Sequence, residues 1–580
     1  MLKNSQKAIA CFMAAGMLCM AFGCESSSVH STPEPPVEEA DALRTQLYLY
    51  NTDFAGGSAW LERIANEFER LHASDTCWED GKTGVQVIVR TSTDRGEDLS
   101  TRLKTGVEEI YFSQTPSYRA LAEQDLLMDV TDTVTATLQN ETRSIVDKMS
   151  PAQKEYYGVP KTDSANAQSD EIGNAAYYGI PYRSGTFGFV YNVDMFEDNG
   201  YYFSAEPTSE IDPFVKTETE RRSAGPDGQW NTYDDGLPAT YVQFFALCDK
   251  ISANGDTPIT FGGATYGEYL TLLANALAAD CDGYEQTMLR YTLEGEAKTL
   301  GDIKNGGFQQ DGTPLRITDE NGYELVRSAG VYRALEFVRK LILTSRYYDS
   351  EAFRVNSTQA EAQADFAQEA NGTPSRKIIA MLADGSWWQS GRAVIDETEQ
   401  AEPANAETTE RRPPMRFGFL PLPKATKSQI GEESTLFNCL SSSVFVSSRV
   451  QEWKKPLVED FLRFIGSDET LKDYIQTTNS SVALDVTLTE AEEETLSYFG
   501  KSVLNVQRNA KTLYPYATNA LVLRNEEAFS INSYWGATFA LATPFEYFAE
   551  AVRKNNVSVV DYFKGMKKSR GESWSELKRD

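Results

Sequence analysis

YYGIPYRSGTFGFVYNVDMF, running from Tyr177 to Phe196, is the stretch that decides the fold. Gly179 lets the chain turn and Pro181 fixes its backbone, so a stiff segment leads into Phe187–Asn192. Phe187 to Tyr191 is an apolar run without alternation, which suits a strand covered on both faces. Asp194 and Glu197 flank Met195 and Phe196 and predict a capping box on a short helix. A single chain passing this way leaves one body and enters a second. Tyr182 and Arg183 then stand at the passage and face the cleft between the two. A packed core ring is the plainer reading of Tyr182.

Upstream, strands alternate with helices. Thr45–Asn51 (TQLYLYN) alternates Leu47 and Leu49 with Tyr48 and Tyr50, a strand pattern. Ser58 is placed to cap a helix whose apolar face is Trp60, Leu61, Ile64, Ala65, Phe68 and Leu71. Strands are predicted again at Gly84–Arg90 and Glu109–Phe112, and helices at Leu99–Thr105 and Ser117–Gln124. This βαβα order predicts an α/β fold with a mainly parallel sheet. Ligands of such sheets lie at the carboxyl ends of the strands. Here those ends carry Asn51, Thr52, Asp53 and Phe54, then Ser113 and Gln114.

The N-terminus carries Lys3 and Lys7 before an apolar run from Ala8 to Gly23, shorter than the ~20 residues a spanning helix needs. It predicts a cleavable export signal over 1–23. The run ends Ala21-Phe22-Gly23-Cys24, similar to a lipoprotein signal in which Cys24 becomes the lipid-bearing N-terminus. Ordinary cleavage leaving a free Cys24 is the alternative. Residues 24–44, rich in Ser, Pro and Glu, predict a flexible tether. Removing the two signal lysines moves the net charge from -30 to -32, which opposes nucleic acid and anionic membrane surfaces. Cys77, Cys248, Cys281 and Cys439 remain, too widely spaced for a disulfide framework or a metal knuckle. Free thiols are expected, with a Cys248–Cys281 bridge left open. The chain has two histidines, His30 and His72, so nucleophilic triads and multi-His zinc sites lack material. Paired carboxylates need no histidine, which keeps a glycoside hydrolase as an alternative.

Nine segments in order resemble the extracellular solute-binding proteins of carbohydrate ABC importers, the maltodextrin-binding type among them. They are LYLYNTDFAGG, DLLMDVTD, the GIPY passage, YNVDMF, FGGATYGEYL, AMLADGSWW, FGFLPLP, the helix FLRFIGSDETLKDY, and NSYWG. The resemblance implies a two-lobed, periplasmic-binding-protein-like fold of type II, with lobes joined by a multi-segment hinge. It places an N-lobe at 45–180 with 434–500 returning, and a C-lobe at 181–433 with 501–580 returning. The implied ligand contacts are Asp53 and Phe54, Ser113 and Gln114, Tyr182 and Arg183, Tyr266 or Tyr269, Trp387 with Trp388 beside it, and Trp535. Trp387 is expected toward ligand and Trp388 toward core. Arg183 stands where some relatives carry a carboxylate, and Ser113 where an aromatic would sit, so the sugar itself stays open.

One motif lies outside this scheme. GPDGQWNTYDDG, Gly225–Gly236, clusters Asp227, Asn231, Asp234 and Asp235, oxygen ligands suited to Ca²⁺. Its spacing is not that of an EF-hand, and a solvated turn is the alternative. Asp396–Arg412 predicts an exposed acidic loop and Thr489–Glu494 a surface helix. The resemblance thus implies a lipid-anchored, monomeric carbohydrate receptor outside the cell. It needs no cofactor and delivers an oligosaccharide to a permease. A ligand-sensing lipoprotein would share the same fold.

Overall fold

The computed structural model describes residues 39–579 apart from 53–57, 93–98, 115–117, 161–174, 208–211, 218, 264–267, 355–356, 371–377, 392–414, 441, 532 and 536–545. Cys24, the export signal, Asp53, Phe54, Tyr266 and the acidic loop Asp396–Arg412 lie outside the described residues, as does most of the tether.

Two sheets organise the chain. Strands β1 (Thr45–Asn51), β2 (Val85–Thr91), β3 (Ile110–Ser113) and β4 (Gly179–Pro181) belong to the first. Strands β5 (Phe187–Asn192), β6 (Thr257–Thr260), β7 (Ile379–Gly385) and β8 (Phe417–Leu420) make the second, in the order β8-β5-β7-β6. Strand β9 (Ser443–Val446) then returns to the first sheet, whose order is β2-β1-β3-β9-β4. The parallel pairing predicted from the βαβα order holds for β1 with β2 and β3. It stops at β9, which runs antiparallel to β3 and β4 because the chain re-enters from the other sheet. Each sheet has its own apolar core, Leu47, Leu49, Ile110 and Phe445 in the first and Phe189, Phe244, Leu335 and Met381 in the second. All six residues of β5 are buried, as its unbroken apolar sequence requires.

The chain passes between sheets at Pro181–Phe187 and again at Phe437–Ser443. Two short pairings brace these passages. Arg183–Ser184 pairs with Ser481–Val482, and Ser434–Phe437 with Ala510–Leu513. Helices α1 (Ala59–Leu71), α2 (Val193–Asn199), α3 (Glu268–Asp282), α4 (Ala329–Leu343), α5 (Gln359–Ala370), α6 (Lys455–Ile465), α7 (Asp468–Thr478) and α8 (Tyr498–Arg508) cover the sheets.

Three local expectations are corrected. Ser58 does not cap α1 with its side chain; its hydroxyl donates to Glu62 instead. The cap of α2 is Asn192, whose side chain accepts from Met195 N, while Asp194 and Glu197 grip Arg416 next to β8. FLRFIGSDETLKDY is two helices, broken at Gly466, because Ser467 turns and caps α7 through Thr470 N. The surface helix is present at Glu490–Glu494 with Thr489 and Glu492 forming its capping box. The four described cysteines are free, Cys248 and Cys281 included.

Candidate functional site

The first passage builds the site. Tyr182 follows β4 and is fully enclosed by aromatic rings of the first lobe. It stacks on Trp60 at 5.7 Å between centroids, and meets Phe112 and Tyr474 edge-on at 5.6 and 6.0 Å. Trp60 comes from the first turn of α1 and Tyr474 from α7, so three separate segments frame this ring. The packed-core reading of Tyr182 is therefore the observed one. Its hydroxyl, however, has no hydrogen-bond partner among the described residues.

Arg183 uses two of the same residues and reaches beyond them. Its Nε donates to Tyr474 Oη at 2.8 Å, its guanidinium lies over the Trp60 ring, and an NH₂ group reaches Ser390 Oγ at 3.4 Å. Ser390 in turn donates to Trp387 O at 2.7 Å. A polar chain Tyr474–Arg183–Ser390–Trp387 thus ties the first lobe to the turn after β7.

Trp387 is set by two glycines. A Cβ at Gly385 would lie 2.2 Å from the indole, and one at Gly185 would lie 2.5 Å from it, so both positions admit hydrogen only. The ring is 2% exposed. The indole expected toward ligand is thus enclosed at the passage. Phe187 stands 6.3 Å away and Tyr269, half-buried at the start of α3, lies 5.9 Å beyond Phe187. Trp388 points elsewhere, into Phe366, Phe417 and Phe499 of the second lobe's outer core. Trp535 is enclosed beside Tyr534, with its carbonyl accepting from Tyr562 Oη at 3.0 Å.

At the ends of β1 and β3, Thr52 Oγ1 donates to Ser113 Oγ at 3.0 Å. Ser113 is buried and Gln114 half-buried. The structure thus brings Tyr182, Arg183, Trp387 and Tyr269 toward one passage and leaves Trp388 out. It adds residues that sequence reasoning did not single out: Trp60, Tyr474, Ser390 and Thr186. Thr186 sits inside the passage with a buried Oγ1 that has no partner among the described residues. Trp60 and Tyr474 read in sequence as ordinary helix-face residues. Their shared neighbour, Tyr182, lies more than a hundred positions from one and nearly three hundred from the other.

The acidic loop folds on itself. Asp227 Oδ1 accepts from Gln229 N at 2.7 Å, Asp234 Oδ1 from Thr232 Oγ1 at 2.6 Å, and Asp235 Oδ2 from Asn231 N at 3.0 Å. Burial, with the Asp227 charge beside it, pushes the Asp234 carboxyl up to about 7. Among the described residues no group of three His, Cys, Asp or Glu side chains is arranged to hold a metal ion. No described helix is long and apolar enough to cross a membrane.

The family model described as "Bacterial extracellular solute-binding protein" matches residues 65–493. No curated protein sequence matches the chain. Among solved structures, a chitin oligosaccharide binding protein is similar at 14% identity and a TM-score of 0.52, over 92% of this chain and 99% of that one. A solute-binding protein, RafE, in complex with raffinose matches at 14% identity and 0.51, over 91% and 99%. The apo form of RafE from Streptococcus pneumoniae matches at 15% and 0.50, over 93% and 100%. At these identities the likeness is one of fold, the two-lobed architecture of solute-binding proteins.

Proposed function

This chain belongs to the bacterial extracellular solute-binding proteins, and from that premise we propose that it captures an oligosaccharide outside the cell and hands it, unaltered, to an ABC importer permease. One observation carries the choice of ligand. Tyr182 Oη and Thr186 Oγ1 are buried polar atoms without partners among the described residues, both at the first passage between lobes. Buried polar groups are ordinarily hydrogen-bonded, so such a group calls for an explanation. A polyhydroxyl ligand supplies donors and acceptors at close spacing, and its C–H faces suit the aromatic walls of Phe187, Tyr269 and Trp387. The named ligands of the structural neighbours, chitin oligosaccharide and raffinose, are of this class.

A thermal-shift screen of neutral oligosaccharides tests the reading, because a ligand that binds only the native state raises the melting temperature by mass action. A flat response across the screen would count against it. We further propose that Cys24 carries a lipid that keeps the receptor at the membrane face. Cys24→Ser should release it into the medium or stall its processing; unchanged retention would remove the anchor from the account.

A further inference from the structure

Asp384, the penultimate residue of β7, stands three residues before Trp387 and is fully enclosed. Its Oδ2 accepts from Gln359 Nε2 at 3.0 Å and from Gln363 Nε2 at 2.6 Å, and its Oδ1 accepts from Gly385 N at 2.7 Å. Gln359 Nε2 also donates to Ala383 O at 3.0 Å, and its Oε1 accepts from Gly262 N at 2.8 Å. The orientation of that amide is therefore fixed, carbonyl on Gly262 and NH₂ on Asp384. Gly262 follows β6, and a Cβ there would lie 2.4 Å from Gln359 N, so the exit of β6 is pressed against the start of α5. On the other side, Gly385 carries the Trp387 indole against its α-carbon.

We propose that Asp384 is a positioning residue for ligand binding: by gathering three donors it locks the exit of β6, the first turn of α5 and the Gly385–Trp387 turn into one wall. The proposal rests on the reading that Trp387 flanks the ligand. Asp384 itself is too enclosed to touch it.

The chemistry requires a carboxylate. Three N–H groups converge on two oxygens, and an ionised Asp is acceptor-only. Asn offers one oxygen and one NH₂, so either Gly385 N–H or the two Gln amides would face another donor. Gln359 cannot turn over to compensate, because its NH₂ would then meet Gly262 N–H. Burial of the carboxyl acts against its hydrogen bonds from Gln363, Gln359, Gly385 N and the Trp387 side chain, and burial prevails, pushing the group up to about 6.

The test uses the full chain with Asp384→Asn, Gln359→Met and Val506→Ala. Val506 lies on α8 in the apolar cluster beside β7 and has an aliphatic side chain that can accept or donate no hydrogen bond, so it serves as the packing control. Amide hydrogen exchange is read at Gly262 and Gly385, and affinity by calorimetry with the oligosaccharide the unmodified protein binds. Asp384→Asn is expected to speed exchange at one or both amides and to weaken binding, each about tenfold, the scale of one buried donor left unpaired. Gln359→Met is expected to speed exchange at Gly262 and weaken binding similarly; it carries the test should Asp384→Asn not fold. Val506→Ala should lower the melting temperature and leave both readouts in place. Unchanged exchange in Asp384→Asn and Gln359→Met, equal acceleration by Val506→Ala, or faster exchange with full affinity would each overturn the proposal. Should the unmodified protein bind no sugar, the sugar reading fails by itself, and the exchange arm still decides whether the clamp exists.

Discussion

Trp387 shows what one residue contributes and how far sequence could place it. Its GSWW setting marked it, and the two glycines that seat the ring explain why that setting is needed. The depth of its burial was not legible, because Gly185 lies two hundred positions away. Trp387→Ala should therefore act twice, costing about 3–5 kcal/mol of stability as a buried indole is removed and weakening sugar binding by about 1–3 kcal/mol, the range for flat ligands stacked on aromatic platforms. A melting curve with calorimetry checks both, and a fully stable variant would place the ring outside the core. Asp234 makes a different prediction. Its folded pKa stands above the ordinary carboxylate value, at about 7, so folding favours its protonated form. The stabilising contribution is complete below about pH 4 and is lost as pH rises through 7. Asp384 acts in the same direction. Melting temperature should thus fall between pH 5 and 8, and Asp234→Asn should flatten that fall; an unchanged slope would remove Asp234 as its source. Because the loop carboxylates are held by hydrogen bonds and form no metal-holding group among the described residues, millimolar calcium should leave the melting temperature at pH 8 unchanged, and a rise that Asp234→Asn abolishes would restore the calcium reading. Identical curves with calcium and chelator are the result expected of a hydrogen-bonded turn, since a ligand that binds only the native state would raise the melting temperature.

At the scale of elements, period and apolar runs located the strands and helices well, since β1, α1, β5 and the Glu490–Glu494 helix follow directly from local pattern. Caps were less legible. A capping box at Asp194 and Glu197 looks right locally, yet both carboxylates are drawn to Arg416, more than two hundred residues on, and Asn192 does the capping. The Gly466-Ser467 break shows in the buried faces, since Leu457, Val458, Phe461, Leu462 and Ile465 do not continue in phase into Leu471 and Tyr474, so the two helices turn different sides to the core. Asn192 is thus expected to matter for α2 and for the end of β5. Asn192→Ala should cost about 1 kcal/mol, the usual loss of an N-cap, while Asp194→Asn leaves α2 in place and weakens only the link to Arg416. Denaturant midpoints of the two variants check this, and a neutral Asn192→Ala would return the cap to Asp194.

For the whole molecule, the α/β class and the idea of two lobes were readable from alternation plus one passage. The antiparallel entry of β9, the paired braces at Ser481–Val482 and Ala510–Leu513, and the polar chain from Tyr474 to Trp387 were not. They join segments far apart in sequence, and local pattern carries no record of such partners. Together they make a passage where aromatic faces from separate segments meet beside buried polar atoms without partners among the described residues, and there the proposed receptor would close on its sugar. That claim is tested most directly by titration calorimetry against a panel of neutral oligosaccharides, chitin oligosaccharides and raffinose included, with chromatography of the same samples after long incubation. The account predicts saturable heat with at least one member of the panel and recovery of that sugar intact. Shortened products, or no heat from any member, would contradict it.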